Sequence, residues 1–521
     1  MPHGLSIPPL EDHLAAPRGL GRLRDSGYPG SAGGAPCGDL VRIGLEVRDG
    51  VVAEAGFDAE GCAAARAAGS AVVELVRGAD VLDAARVSPQ TVREELGGLS
   101  PERSHAAELA ADALHRALGA AAADPAADLA RQAAAPSPPG AATPGRGSPR
   151  RTLVAMSGGV DSAVAAQLCL DRGDDVVAVT LELWSDPAND GTRSCCSPQA
   201  VTGARALAHR MGLPHLTLDL NAAFRREVVD DFLAQHATGA TPNPCVRCNG
   251  LVRFGAMLGL AGRVGATRLV TGHYARIARD GHGPLIRAAT DPAKDQAYML
   301  ARLDPALLDR LEFPLGEMEK PHVRAIARAA NLPVASKPDS QDLCFLAGTS
   351  AQAFMRRHDG PGERPGAIVD ERGRVLGEHD GQQRFTIGQR RGLRVSSPEP
   401  LYVVRKHPAS NRVVVGPRSS LARRSVALSG ATLHRDAAQV DRVKLRYRSA
   451  PVPCRVTSAA AAGRHGRLEL ELGDEVYGVA PGQTACLLRR DDVVGWATIR
   501  AGGEPLSESV SLPMSEVALA P

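Results

Sequence analysis

TLVAM (residues 152–156) runs without a break into SGGVDS (157–162) and then into AVAAQLCLDRG (163–173). The first run reads as a buried strand, the second as a glycine turn and the third as a helix. A strand that turns through glycines into a helix directs backbone N–H groups and the positive end of the helix dipole at one point, which favours an anion. The pattern then repeats. DVVAVTLEL (175–183) reads as a strand, GARALAHRMG (203–212) as a helix, HLTLDL (215–220) as a strand, and RLVTGHYA (268–275) as another strand entering a loop. Strands alternating with helices predict a doubly wound parallel α/β sheet, with its site at the carboxyl ends of the strands.

On either side the character changes. Residues 121–150 hold Ala, Pro and Gly with no aromatic residue, which predicts a disordered linker. Before it, LVRIGLEVRDGVVAEAGF (40–57) alternates about a DG turn and reads as a hairpin, while 62–77 and 105–120 have helical spacing. Residues 10–120 are thus expected to form an α+β domain, and 151–358 the nucleotide domain. From about 360 onward, short β runs (LYVVRKH, NRVVVG, DRVKLRYR, PCRVTS, RLELELG) predict two small β-barrel-like domains, 359–430 and 431–510.

At 521 residues the chain is too long for one core. It has no apolar run long enough for a membrane span and no secretion-signal layout at its start, so a cytoplasmic protein without membrane contact is expected. Ten cysteines then point to metal or redox chemistry rather than to a disulfide framework. Of 61 basic residues only five are Lys (294, 320, 337, 406 and 444). Between Arg405 and Arg455 twelve Lys or Arg face two Asp, the footprint of a phosphate-backbone partner.

Within SGGVDS, Ser157 and Ser162 offer hydroxyls, Gly158 and Gly159 allow close approach of phosphate, and Asp161 can help hold Mg2+. The loop lacks the Lys of GxxxxGK[ST], which argues against ordinary γ-phosphate transfer. In TPNPCVRCN (241–249) two prolines stiffen a turn and direct Cys245 and Cys248 at one point, and SKPDSQDLCF (336–345) adds Cys344. Three readings stand: a 4Fe–4S cluster with one open iron, a persulfide with a resolving thiol, or a zinc site. Cys169, Cys454 and Cys486 sit in apolar contexts typical of buried thiols, and Cys195 and Cys196 are unassigned.

SGGVDS resembles the pyrophosphate loop of the N-type ATP pyrophosphatases. Together with TPNPCVRCN, TGHYA (271–275), KDQAYML (294–300), SKPDSQDLCF, RFTIGQRRGL (384–393), VKLRYR (443–448) and APGQ (480–483), it follows the order and spacing of tRNA-specific 2-thiouridylases of the MnmA type over about 150–505. The resemblance implies ATP-dependent thiolation at carbon 2 of the wobble uridine in tRNAs for Lys, Glu and Gln. It implies ATP contacts at Ala155, Met156, Ser157, Gly158, Gly159, Val160, Asp161, Ser162, Leu181 and Gly272. It implies target-base contacts at Asn243, Pro244 and Cys245, and tRNA contacts at His273, Lys294, Asp295, Gln296, Arg446, Tyr447 and Gln483. Cys248 matches the family's nucleophile and Cys344 its persulfide-bearing cysteine. Many members have Asp where this chain has Cys245. The three-cysteine subset resembles members thought to carry a 4Fe–4S cluster.

EDHLAAPRG (11–19), APCGD (35–39), EGCAAA (60–65) and LSPERSHAAELAADAL (99–114) resemble iron–sulfur scaffold proteins of the IscU/NifU type. Cys37, Asp39, Cys62 and His105 match that family's cluster or zinc ligands. Ala106 stands in place of its last cysteine, and Arg103 in place of its Lys. The implied partners are tRNA and a cysteine desulfurase or other sulfur donor, with the first domain supplying cluster or sulfur. Two rival readings remain: an adenylating synthetase acting on a small metabolite, and a non-catalytic iron–sulfur carrier that binds RNA.

Overall fold

A computed structural model of the chain describes residues 8–22, 27–34, 38–130, 149–186, 188, 197–339 and 343–501. Strand Arg151–Ala155 leads into helix Val160–Asp171 across the SGGVDS turn. It is the middle strand of a five-stranded parallel sheet, ordered Leu311–Glu312, Arg268–Thr271, Arg151–Ala155, Asp175–Glu182, His215–Asp219. The first strand in the chain thus lies between the second and the fourth. The connections leave it in opposite directions and open a crevice at its carboxyl end, the switch point where such sheets bind ligands. Leu153, Val154, Val177, Leu269 and Val270 are fully buried, as expected for strands covered on both faces.

The expected all-β half consists of two units. In the central one, four strands are ordered Val375–His379, Gly366–Asp370, Arg412–Gly416, Tyr402–His407, with the middle pair parallel. The second is a closed six-stranded barrel: Ala422–Leu433, Gly463–Tyr477, Val452–Val456, Arg442–Lys444, Thr484–Arg489 and Asp492–Ile499, which pairs back to Ala422–Leu433. The boundary expected at 430 falls inside that first barrel strand. The nucleotide domain lends the barrel a hairpin, Ala275–Asp280 with Gly283–Ala288. Asp280 accepts from Arg435 at 2.7 Å and Arg489 at 2.9 Å, and Arg287 pairs with Asp492 at 2.6 Å. Of the twelve basic residues between 405 and 455, eight are exposed, so this charge is presented to solvent.

In the amino-terminal domain, antiparallel strands Tyr28–Gly33, Leu40–Arg48 and Val51–Glu60 pack against helices Ala63–Val76 and Ser104–Ala123. The DG turn places both Asp49 and Gly50 at positive φ, the backbone of a type I′ hairpin. The expected linker start at 121 lies inside the last helix, and Ala127 and Leu129 beyond it are buried. An Ala-rich run without aromatics is also a strong helix former, and it buries its methyl groups here. The stretch 131–148 lies outside the described residues.

The second half of helix Ser104–Ala123 covers the edge strand His215–Asp219, whose unpaired backbone would otherwise be a pairing liability. His215 N–H donates to the Ala85 carbonyl at 3.1 Å, His115 bonds the Val87 carbonyl at 2.8 Å, and Arg205 pairs with Asp112 at 2.9 Å. Burial pushes the His115 and His215 imidazoles well below their ordinary pKa, so they pack neutral. Arg205 is almost fully buried, and its loss leaves Asp112 without that partner. Arg205→Ala is expected to cost about 1–3 kcal/mol at this interface and to release the first domain. Small-angle scattering should show a larger radius of gyration, and protease should cleave faster between the domains.

Candidate adenylation and sulfur-transfer site

The SGGVDS turn is pre-set by its own side chains. Gly158 has φ +68°, a conformation that penalises a Cβ. Ser162 Oγ accepts from Ser157 N–H at 3.1 Å and donates to the Gly159 carbonyl at 3.1 Å, so this hydroxyl closes the loop. Gly159 precedes the 12-residue helix and leaves its first N–H groups directed into the crevice. Met156, Val160 and Leu181 are buried around the turn, and Ala155 ends the strand beneath it. Gly272 follows the neighbouring strand, and a Cβ there would lie 2.8 Å from the Asp161 carbonyl carbon and the Ser162 nitrogen. Both obstacles are backbone and cannot swing away. Gly272→Ala is therefore expected to displace the loop and raise the KM for ATP about tenfold or more, with little change in thermal midpoint, as steady-state kinetics and melting curves will report.

The Asp161 carboxylate accepts from Tyr274 OH at 2.9 Å and from Lys320 Nζ at 2.7 and 2.8 Å. Lys320 also pairs with Asp339 at 2.8 Å, which holds Lys294 at 2.9 Å and Arg324 at 3.0 Å. Lys337 Nζ donates to the Gly158 carbonyl at 2.9 Å. Sequence reading missed Lys320, Lys337, Asp339 and Tyr274 as neighbours of the loop. Lys337 and Asp339 stand in the motif SKPDSQDLCF and Tyr274 in TGHYA, whereas for Lys320 the available signal was that lysine is scarce in this chain.

TPNPCVRCN is not simply a stiff turn. Asn243 caps helix Pro244–Cys248, its Oδ1 accepting from Cys245 N–H at 3.1 Å and Val246 N–H at 3.2 Å, with Pro244 at the first helical position. Cys245 and Cys248 stand one turn apart, and a π-helical turn, Asn249–Arg253, follows. Cys248 is buried, while Cys245 and Cys344 are half-buried. The helix leans on the segment 221–237, where Arg247 pairs with Glu227 and Asp231. The same segment receives Phe345, the neighbour of Cys344, against Phe224 and Phe232 at ring distances of 5.9 and 5.2 Å. One helical shelf therefore supports both cysteine-bearing segments.

The residues expected to touch tRNA are engaged within the protein, and one of them, Gln483, contacts this loop directly. Gln483 Nε2 donates to the Thr241 carbonyl at 2.6 Å, and Thr241 N–H donates to the Pro481 carbonyl at 2.8 Å, so the barrel clasps the cysteine loop. Gln296 Oε1 accepts from Tyr274 N–H at 2.9 Å, and Asp295 accepts from Ala289 N–H, Ala297 N–H and Lys444. His273 bonds Thr271 Oγ1 at 2.7 Å, and burial pushes its pKa down to about 3, so it offers a neutral imidazole. Arg446 and Tyr447 lie in a turn after strand Arg442–Lys444, shorter than the run DRVKLRYR suggests. Arg446 donates to the Ile387 carbonyl at 3.0 Å. Tyr447 packs near Tyr298, and burial, Asp295 and the nearby Cys245 all raise its pKa.

In the first domain Asp39, Cys62 and His105 present ligand atoms within 4.8 Å of one another. Asp39 Oδ2 lies 2.7 Å from His105 Nε2 and 3.1 Å from Cys62 Sγ. Cys37 lies outside the described residues, and Ala106 is fully buried. Two thiol or imidazole donors and a carboxylate suit a thiophilic cation. Its Asp39 partner raises the His105 pKa, and burial followed by the Asp39 hydrogen bond raises that of Cys62. A metal must displace both protons. The His105–Asp39 attraction in the metal-free domain is complete below pH 6.5, the ordinary value, and fades as pH rises through the raised one. Zinc affinity is accordingly expected to climb as pH rises above 6.5, and a competition titration with a chromophoric chelator at several pH values measures it.

A glycine loop at a sheet switch point, a capped two-cysteine helix clasped by a β-barrel, and a separate domain with three converging donors make up a multidomain protein of the doubly wound α/β class. Comparison with known proteins agrees. Residues 9–125 match the NifU-like N terminal domain, 150–348 the tRNA methyl transferase HUP domain, 352–417 the tRNA methyl transferase PRC-barrel domain, and 428–499 the aminomethyltransferase beta-barrel domain. The bifunctional protein NifU/MnmA of Rubrobacter xylanophilus is 44% identical over 497 residues, covering 94% of this chain and 98% of that one. The tRNA-specific 2-thiouridylase MnmA of Rhodospirillum centenum is 44% identical over 70% of this chain and 95% of its own. That of Methylobacterium radiotolerans is 45% identical over 67% and 93%. The chain belongs to the family of bifunctional NifU/MnmA proteins, whose carboxyl-terminal part is of the tRNA-specific 2-thiouridylase type. Among the described residues no helix is long and apolar enough to cross a membrane.

Proposed function

We propose that this chain replaces the C2 oxygen of the wobble uridine in tRNAs for Lys, Glu and Gln with sulfur, in the cytoplasm, at the expense of ATP. The observation that carries the reading is the continuous hydrogen-bonded path from the phosphate loop to the cysteine loop. Asp161 bonds Tyr274, whose N–H donates to Gln296 Oε1 and whose carbonyl accepts from Gln296 N–H. The 3-10 turn Ala297–Leu300 follows, and Asn249, next to Cys248, donates to the Met299 carbonyl at 3.1 Å. Activation and sulfur delivery thus share one frame.

ATP would lie with its phosphates on residues 157–162 and its base side against Leu181, and Asp161 would help hold a Mg2+ that offsets phosphate charge. The uridine oxygen attacks the α-phosphorus and pyrophosphate leaves. The O–AMP bond converts a poor leaving oxygen into a good one, and the sulfur nucleophile then adds at C2 and expels AMP. Asn243 and Pro244 would shape the base pocket, with Tyr447 as a wall and neutral His273 as a hydrogen-bonding group. The exposed arginines of the β domains would follow the RNA backbone. The flipped base would enter beside Cys245.

Cys245, Cys248 and Cys344 would hold a 4Fe–4S cluster. Three thiols on two segments of one helical shelf suit such a group, which when bound supplies an iron open to hydrosulfide. Asp39, Cys62, His105 and Cys37 would carry a cluster or zinc for the fused domain, with a cysteine desulfurase or another donor as the sulfur source. Asp161→Ala is expected to abolish thiolation. Cys245→Ala, purified without oxygen, should lose about four irons per chain relative to the parent. Equal iron in the two proteins, with sulfane sulfur on Cys344 of the thiolating parent, would replace the cluster with a persulfide.

A further inference from the structure

The phosphate loop contains no cation of its own, yet the fold brings three of the chain's five lysines to it. Lys294, Lys320 and Lys337 come from three separate segments, and Lys320 and Lys337 lie 159 and 179 residues from their loop partners. With Arg324 they make four cations around three carboxylates, Asp161, Asp291 and Asp339. The excess of positive charge adds to that of the helix end. Lys320 opens helix Lys320–Ala329, with its backbone N–H on Asp291 and its ammonium, about nine-tenths buried, between Asp161 and Asp339. Lys337 reaches the loop backbone itself through the Gly158 carbonyl.

We infer that Lys320 and Lys337 are direct ligands of the β- and γ-phosphates of ATP, an inference that rests on the adenylation reading above. The triphosphate carries several negative charges, and its cleavage concentrates charge on the departing pyrophosphate. The uridine oxygen forms its bond to the α-phosphorus, the bond from that phosphorus to the bridging oxygen breaks, and the electron pair leaves with pyrophosphate. Fixed cations beside the leaving oxygens stabilise that charge. Ammonium groups suit the task because they are compact point charges that exchange partners. The carbonyl of Gly158 and the carboxylates of Asp161 and Asp339 hold them over the turn, and phosphate oxygens take their place when ATP binds. Lys320 moving to phosphate also uncovers the Asp161 carboxylate.

The test is calorimetric titration of the full chain with pyrophosphate, α,β-methylene-ATP and AMP in magnesium buffer. Lys337→Ala removes only a bond to a carbonyl and should fold normally. Lys320→Gln keeps a polar group between the two carboxylates. Each variant is expected to bind pyrophosphate and the analogue at least about tenfold more weakly, while AMP affinity stays within about twofold. Equal weakening toward all three ligands would mean that these lysines only support the loop, and unchanged affinity would mean that they do not reach phosphate. Either result overturns the assignment. A parent protein that binds neither ATP analogue nor pyrophosphate overturns the adenylation reading itself.

Discussion

The structure turns on the carboxylate of Asp161. It is the first acidic side chain of the helix that the phosphate loop opens, and it binds a tyrosine hydroxyl on one side and a lysine ammonium on the other. Through Tyr274 the loop is tied to Gln296 and the turn that follows, and through that turn to Asn249 beside Cys248. Tyr298 in the same turn donates to the Thr484 carbonyl of the barrel at 2.9 Å. The loop is therefore joined to the cysteine helix and to the barrel by hydrogen bonds. Such coupling suits a reaction in which sulfur must meet a base only after that base has been activated.

The barrel is more than an appended RNA clamp. Its loop 480–483 closes over 240–243, and its sheet accepts a hairpin from the nucleotide domain. Residues expected to grip RNA, Arg446 and Gln483 among them, donate to backbone carbonyls, Arg446 to Ile387 and Gln483 to Thr241 in the cysteine loop. The first domain is likewise docked rather than loosely tethered. Its donors Asp39, Cys62 and His105 gather near the start of helix Ser104–Ala123, whereas docking involves the second half of that helix. His115, ten residues on, lies about 15 Å along the axis from His105. Delivery from that site to Cys245 has to span more than the docking contact alone provides.

Much of this was legible in local sequence, for a physical reason. SGGVDS after TLVAM carries its own turn and helix start, and the DG hairpin carries its own positive-φ pair, so neither needs distant information. Asp39, Cys62 and His105 were readable through a family resemblance and do converge. What stayed hidden was long-range. No spacing rule links Lys320 to Asp161 or Lys337 to Gly158. The Asn243 cap was masked by two prolines that read equally well as a stiff turn. Residues 121–123 at the start of the expected linker continue the helix, because composition does not distinguish a chain without a core from a helix whose methyl groups complete a neighbour's core. The run DRVKLRYR promised a longer strand than forms, since the chain turns at Arg446 to bring Tyr447 toward the cysteines.

The most direct measurement is mass spectrometry of the nucleosides released from tRNA incubated with the full chain, ATP, magnesium and a sulfide source, alongside the pyrophosphate formed. The account predicts 2-thiouridine at the wobble position, one pyrophosphate per sulfur inserted, and neither product without tRNA. Pyrophosphate or AMP formed at full rate in the absence of tRNA, with no thiolated nucleoside in its presence, would contradict it and point to a small-molecule substrate.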